Sequence, residues 1–392
     1  MRSPPIAVSS SDDEEELTTP MRRPPQRRRS HVVATMCGIS SREFRRCVRF
    51  GVPMVFFQTL AYLHFSEGWQ SLHMDCGEWM CGVGVIQSAF AASGLESFGY
   101  DRRTRNPLHD ILTGPGWMMG LSYLRCSKFF SLHHWGILCS SWVWISRSVS
   151  GRSLIDPLGD QQSDFACEGN TMVTRMIMFC LFIFARLGVV LIEQPSTSLM
   201  SMHPRWHILD SAVRSLHKLL RSLDQADVRN DIGYMQGRAR DEDLHDDCDD
   251  ESGLCSLPTW LGGFGSEHSK RVLLYCSVKS VLLPLHRTLP KTARERLGGA
   301  PTTKLRFAME GKRVVRKVTG NKQVLKGTQE YPVQFGHAVL RSYQSWRADK
   351  EIRIIEESSD SDYELTPTWP DAKLEVHIRE LSQIHPNVPR LL

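Results

Sequence analysis

The segment Asn170–Leu187, followed at once by Val189–Ile192, limits what this chain can fold into more than any other feature. A long apolar helix pattern is joined through Gly188 to four consecutive β-branched or Leu residues. A strand that is apolar on both faces belongs inside a parallel sheet covered by helices. The same alternation recurs on either side. Strands are predicted over Leu72–Glu78, Leu95–Tyr100, His134–Leu138 and Val272–Tyr275, and helices over Ile86–Ser93, Trp117–Leu124 and Ile208–Leu223. This order predicts an α/β fold built on an open, doubly wound, mostly parallel sheet.

Two apolar stretches imitate membrane spans. Val52–Phe65 is too short and carries Gln58 and His64, and Met176–Ile192 holds Arg186 and Gly188 midway. A spanning helix would have to bury that cation in lipid, so a buried helix followed by a buried strand is the better reading, and no membrane association is expected.

The ends differ in composition. Residues 1–35 join an acidic block, Ser9–Glu16, to a basic, proline-containing one, Arg22–Arg29; residues 349–392 include the acidic run Glu356–Asp362. Neither can bury enough to offset chain ordering, so both read as disordered tails. Between them the expected units are a helical extension over 36–70, a core over 71–276, a small basic region over 277–329 and a closing helix over 330–348. The 11 cysteines form no C-x-x-C pair, and the N-terminus shows no apolar leader, which fits a nuclear or cytoplasmic rather than a secreted protein. His245, Cys248 and Cys255 match no zinc spacing, so no metal is expected.

In open α/β sheets ligands bind beyond the carboxyl ends of the strands, where strand order reverses. The chemistry-bearing residues of this chain sit there. Glu78-Trp79-Met80-Cys81-Gly82-Val83-Gly84 follows the first predicted strand, and its glycines allow backbone to approach a ligand. Asp101 ends the second strand, where an acid can hold ribose hydroxyls, and His109-Asp110-Ile111 supplies an acid for an amino group. Cys139 and Glu193 follow the next two strands.

In this order the residues resemble the motifs of the cytosine-C5 DNA methyltransferases. Glu78–Gly84 is similar to their D-L-F-S-G-x-G turn, Asp101 to their ribose acid, and His109-Asp110-Ile111 to their G-D-I adenine motif. Gly136-Ile137-Leu138-Cys139 resembles the proline–cysteine nucleophile loop, Ile192-Glu193-Gln194-Pro195 the E-N-V motif, and Gln334–Val339 the closing Q-x-G-N-A-V motif. The resemblance covers about residues 72–345.

It implies the class I methyltransferase sheet with S-adenosylmethionine as cofactor, contacted by Glu78, Met80, Gly82, Gly84, Asp101, Asp110, Ile111, His337 and Val339. Cys139 would add to the cytosine ring and Glu193 would hold ring N3. The implied partner is nucleic acid, DNA before RNA, with the base flipped from any duplex. Arg147, Arg152, Arg205, Lys270, Arg271, Arg313 and Lys317 are the expected nucleic-acid contacts, the last two within a basic run that also holds Lys304, Arg306, Lys312 and Arg316. Leu138, Gln194 and His337 depart from the family pattern, and a catalytically decayed binding module is the alternative reading.

Overall fold

The computed structural model describes residues 34, 37–65, 73–103, 105–231, 253–297, 303–310, 313–320 and 330–354. Residues 349–354 of the expected C-terminal tail are helical instead; apart from these and Ala34, the two terminal tails and the His245–Cys248 region lie outside the described residues. Six strands form one open sheet: β1 (Met74–Trp79), β2 (Ser97–Tyr100), β3 (Ser127–Trp135), β4 (Val189–Pro195), β5 (Cys255–Trp260) and β6 (Arg271–Cys276), in the order β2-β1-β3-β4-β6-β5. The first four are parallel, and β6 runs antiparallel to both β4 and β5. Strand order reverses beside β1, so β1 and β3 flank the switch point at which such sheets bind ligands.

Helices α1 (Ser41–Arg49) and α2 (Met54–Phe65) precede the sheet. The crossover helices are α3 (Val85–Ala92), α4 (Gly114–Arg125), α5 (Asp164–Ala185) and α6 (Trp206–Asp231), and α7 (Val333–Ile354) is the last described element. Side chains alternate across a strand, and the two faces of β1 are correspondingly different. Trp79 stacks on its register partner Trp135 with centroids 4.6 Å apart and packs against Phe179 of α5. Phe56 of α2 then meets Trp117 of α4 and Phe179 edge-on, extending that aromatic layer outward. On the opposite face Glu78 contacts α3, and α7 lies along α3 with Gly336 against the Val85 carbonyl. A Cβ at Gly336 would stand 2.7 Å from that oxygen, so the close helix pair requires glycine.

The long apolar segment is a buried helix and then a strand, as its pattern predicts. Helix α5 is long and apolar enough to cross a membrane by length and composition, yet most of it is enclosed by the sheet and neighbouring helices. Arg186 caps its C-terminus. The guanidinium pairs with Glu43 at 2.6 Å and donates to the carbonyls of Leu124, Arg125 and Ser127, fastening α1 to the core.

Two expectations need correction. β3 is Ser127–Trp135, not His134–Leu138; Phe130 at φ 61° interrupts its alternation, and residues 137–139 lie beyond the strand. Strand β5 was not foreseen, because Pro258 at its centre argues against a central strand; β5 is an edge, where a missing N–H is tolerated. Beyond a short helix at Lys291–Leu297, β7 (Thr303–Glu310) and β8 (Arg313–Gly320) pair as a separate antiparallel hairpin.

Candidate functional site

The glycine turn is built from both ends. Met80 and Gly82 adopt positive φ (53° and 54°), and Gly84 caps α3 in the left-handed region at φ 75°. Gly84 has no side chain with which to cap, so the exposed N–H groups of the first helical turn need another acceptor. Glu78 supplies it: the buried carboxylate accepts from the Gln87 N–H at 2.7 Å. Its second oxygen, Oε1, is buried with no partner among the described residues. Burial raises this carboxyl to about 7, against the opposing pull of the Gln87 and Ile86 N–H groups and Arg105.

Asp101 meets the turn from β2. One oxygen accepts from the Gly82 N–H at 3.2 Å and the other from the Arg103 N–H at 2.8 Å. A Cβ on Gly82 would meet nothing within 4 Å, so the turn opens outward there. Arg105 covers its other side, donating to Gln87 Oε1 at 2.9 Å and to the Val83 carbonyl. Asp110 accepts from the Leu112 N–H and pairs with Arg102 at 2.7 Å, while Ile111 is buried beside it.

Cys139 and Glu193 share one end of the sheet. Gln194 joins their two segments, donating from Nε2 to the Ile137 carbonyl at 3.0 Å and accepting from Ser198. Cys139 is partly exposed. Its thiol is pushed up to about 11, first by desolvation and then by the Glu193 carboxylate, with Lys270 pulling the other way. Glu193 is buried and doubly held: Tyr331 donates to Oε2 at 2.9 Å, and Lys270 Nζ lies 3.3 Å from Oε1 as an ionic rather than a directed contact.

Tyr331 is the residue that sequence reasoning missed. It stands just before α7, outside every motif, and no spacing marks it. Its hydroxyl bonds Glu193 at the end of β4 and would lie 3.1 Å from a Cβ on Gly136, just past β3. Its ring meets His134 edge-on at 5.3 Å. His134 pairs in register with Glu78 and is wholly buried. Both its ring nitrogens lack partners among the described residues, and burial lowers it to about 3, so it is neutral.

Other sequence-predicted residues take different places. Arg152 is not a surface phosphate contact. Only 2% exposed, it donates to the carbonyls of Ser141, Pro157, Leu158 and Ala166 and to Asn170, with its guanidinium 3.4 Å from the Trp142 ring centroid. It organises the loop after Cys139, whose carbonyl accepts from the Trp142 and Val143 N–H groups. Lys270 is paired to Glu193 at the site. Val339 is fully buried in the α7 packing, and His337 is exposed on the same helix. Arg147 is half-buried, Arg205 is exposed and donates to Thr174, and Arg271 is exposed beside Trp260. In the hairpin, Arg313 pairs in register with Glu310 and Lys317 with Arg306; Lys312 lies outside the described residues. Cys255 sits on β5, and no group of three metal-ligating side chains occurs among the described residues.

Comparison with known proteins adds no relative. No family model matches the chain, and no curated protein or solved structure does either.

Proposed function

We propose that this chain is an S-adenosylmethionine-dependent methyltransferase acting on carbon 5 of cytosine in nucleic acid, DNA before RNA, through a covalent adduct of Cys139. The observation that carries the reading is that Cys139 lies within the electrostatic reach of Glu193 at the carboxyl edge where the Gly82 turn opens, with Tyr331 bonded to Glu193. The strand order supports it too: four parallel strands, then an antiparallel β6 inserted before β5, resembles the methyltransferase sheet.

The residues fit the cofactor. The open Gly82 turn and Asp101 would hold its polar end, and Asp110 with the Ile111 backbone its base. When bound, the cofactor supplies an electrophilic methyl group. The chain supplies the rest. The Cys139 thiolate adds to ring carbon 6, and Glu193 at N3 stabilises the charge that develops, so that carbon 5 becomes nucleophilic. After methyl transfer a base takes the proton from carbon 5, and the thiolate leaves as the ring double bond reforms.

Two observations favour a second reading, a decayed module that binds cofactor or nucleic acid without turnover. The Cys139 thiol is held protonated at neutral pH, and Lys270 keeps Glu193 in an ion pair. A 5-fluorocytosine oligonucleotide separates the two. A covalent complex that requires methyl donor and disappears in Cys139→Ser establishes turnover chemistry. Calorimetric binding of S-adenosylhomocysteine, weakened in Asp110→Ala and unaccompanied by any adduct, establishes the decayed form. Loss of both signals overturns the proposal.

A further inference from the structure

The basic charge of this chain is concentrated. Residues 260–320 contain thirteen Lys and Arg against three Glu, whereas the whole chain has a formal net charge of only +5. The remainder is therefore acidic on balance, and the positive field belongs to the segment from the end of β5 through the hairpin. Trp260 begins that segment. It is the last residue of β5 and the register partner of Arg271, and both stand at the sheet edge that carries Glu193. Two strand spacings across and three residues along separate Trp260 from Glu193, on the order of 14 Å.

Trp260 is only partly buried, and two cations attend its ring. The guanidinium carbon of Arg294 lies 5.1 Å from the indole centroid and that of Arg271 lies 5.9 Å away. Arg271 and Arg294 are exposed, and neither has an acidic partner among the described residues. Two like charges at one ring repel, and an anion between them would relieve the repulsion.

We infer that Trp260, Arg271 and Arg294 form a stacking point for an unpaired strand of nucleic acid, with the base on the indole and flanking phosphates on the two guanidinium groups. An aromatic face with adjacent arginines suits exposed bases, because a paired duplex offers its groove edges rather than its base faces. The point rests on the nucleic-acid reading of the neighbouring site but is separate from its chemistry. It would hold the strand beside the base that enters the Cys139 cleft.

The test is fluorescence anisotropy with a labelled single-stranded oligonucleotide and its blunt duplex, using the full chain. Trp260→Leu should weaken single-strand binding roughly 5- to 100-fold and duplex binding much less. Arg294→Glu, a surface change that leaves the indole in place, should weaken the single strand and flatten its salt dependence. Equal loss for single strand and duplex, no loss in Arg294→Glu, or no binding of single strands by the wild type would each overturn the inference. Covalent trapping and S-adenosylhomocysteine binding are scored separately on the same variants. Retained trapping with unchanged single-strand affinity rejects the stacking point alone. Trp260-dependent binding without trapping or cofactor binding rejects the methyltransferase reading alone.

Discussion

Glu78→Gln tests whether the sheet edge pays in stability for a charge it cannot solvate. The wild-type carboxyl is buried, one oxygen is unpartnered, and its value is raised from an ordinary 4.5 to about 7. A raised folded-state value means that the native protein binds a proton the unfolded chain has released. Stability therefore falls as pH climbs from 4.5 and levels off above 7. With about 1.4 kcal/mol per pKa unit, the full penalty is roughly 3 kcal/mol, of which about 2.5 kcal/mol develops between pH 5 and pH 8. Glutamine keeps an acceptor for the Gln87 N–H and cannot ionise. Urea unfolding of wild type and variant, followed by tryptophan fluorescence at both pH values, isolates this term, because all other titrations occur in both proteins. The variant should gain about 2.5 kcal/mol relative to wild type on going from pH 5 to pH 8. An identical pH dependence in the two proteins would refute the account of Glu78 as a desolvated acid.

Three further outcomes are expected. Arg152→Met should cost on the order of 3 kcal/mol by stranding the carbonyls it serves, and should leave the salt slope of nucleic-acid binding unchanged; a slope reduced by one charge would return Arg152 to the phosphate contacts. Glu193→Gln should lower the Cys139 value from about 11, so that alkylation of the Cys139 peptide, read by mass spectrometry, becomes faster at pH 8; an unchanged pH–rate curve would mean that the carboxylate does not act on the thiol. Asp75→Asn should destabilise by about 2–4 kcal/mol at neutral pH, since Asp75 is buried and paired with Lys128 at 2.8 Å and with Arg347. Burial pushes its carboxyl up, but the two cations outweigh this and hold it below 3.8. Its contribution is thus present above that value and lost as pH falls through the depressed one, and a variant effect as large at pH 2 as at pH 7 would contradict the pairing.

Much of the fold is legible in the sequence because its strongest signals are local. The apolar run Val189–Ile192, the Gly82/Gly84 turn and the helix beginning at Val85 are each written within a few neighbouring residues. The failures are of another kind. β5 is hidden by Pro258, whose tolerance depends on a neighbour being absent from one side. Arg152 and Lys270 look like phosphate contacts, since a cation in a loop reads as exposed until its partners are known. Those partners are the Ser141, Pro157 and Ala166 carbonyls for one and Glu193 for the other. Tyr331 is invisible for the same reason: its hydroxyl matters because of Glu193, 138 positions earlier.

The strand β1 carries an internal control for where function lies. Asp75 near its start and Glu78 near its end are both acids with no more than traces of exposure. At the start, Asp75 has two cations and the Glu96 N–H, and its value is lowered. At the end, Glu78 keeps an unpartnered oxygen beside a neutral His134 with two unpartnered nitrogens, and its value rises to about 7. Each buried polar atom left unpaired costs about 1–3 kcal/mol, and apolar residues of similar size would avoid that cost. A chain able to satisfy an acid completely at one end of a strand has no packing reason to leave another unsatisfied three residues on. The asymmetry follows the polarity of the sheet, with satisfied charge at the amino edge and unmet hydrogen-bonding capacity at the carboxyl edge. That is where the Gly82 turn opens and where Cys139 and Glu193 meet.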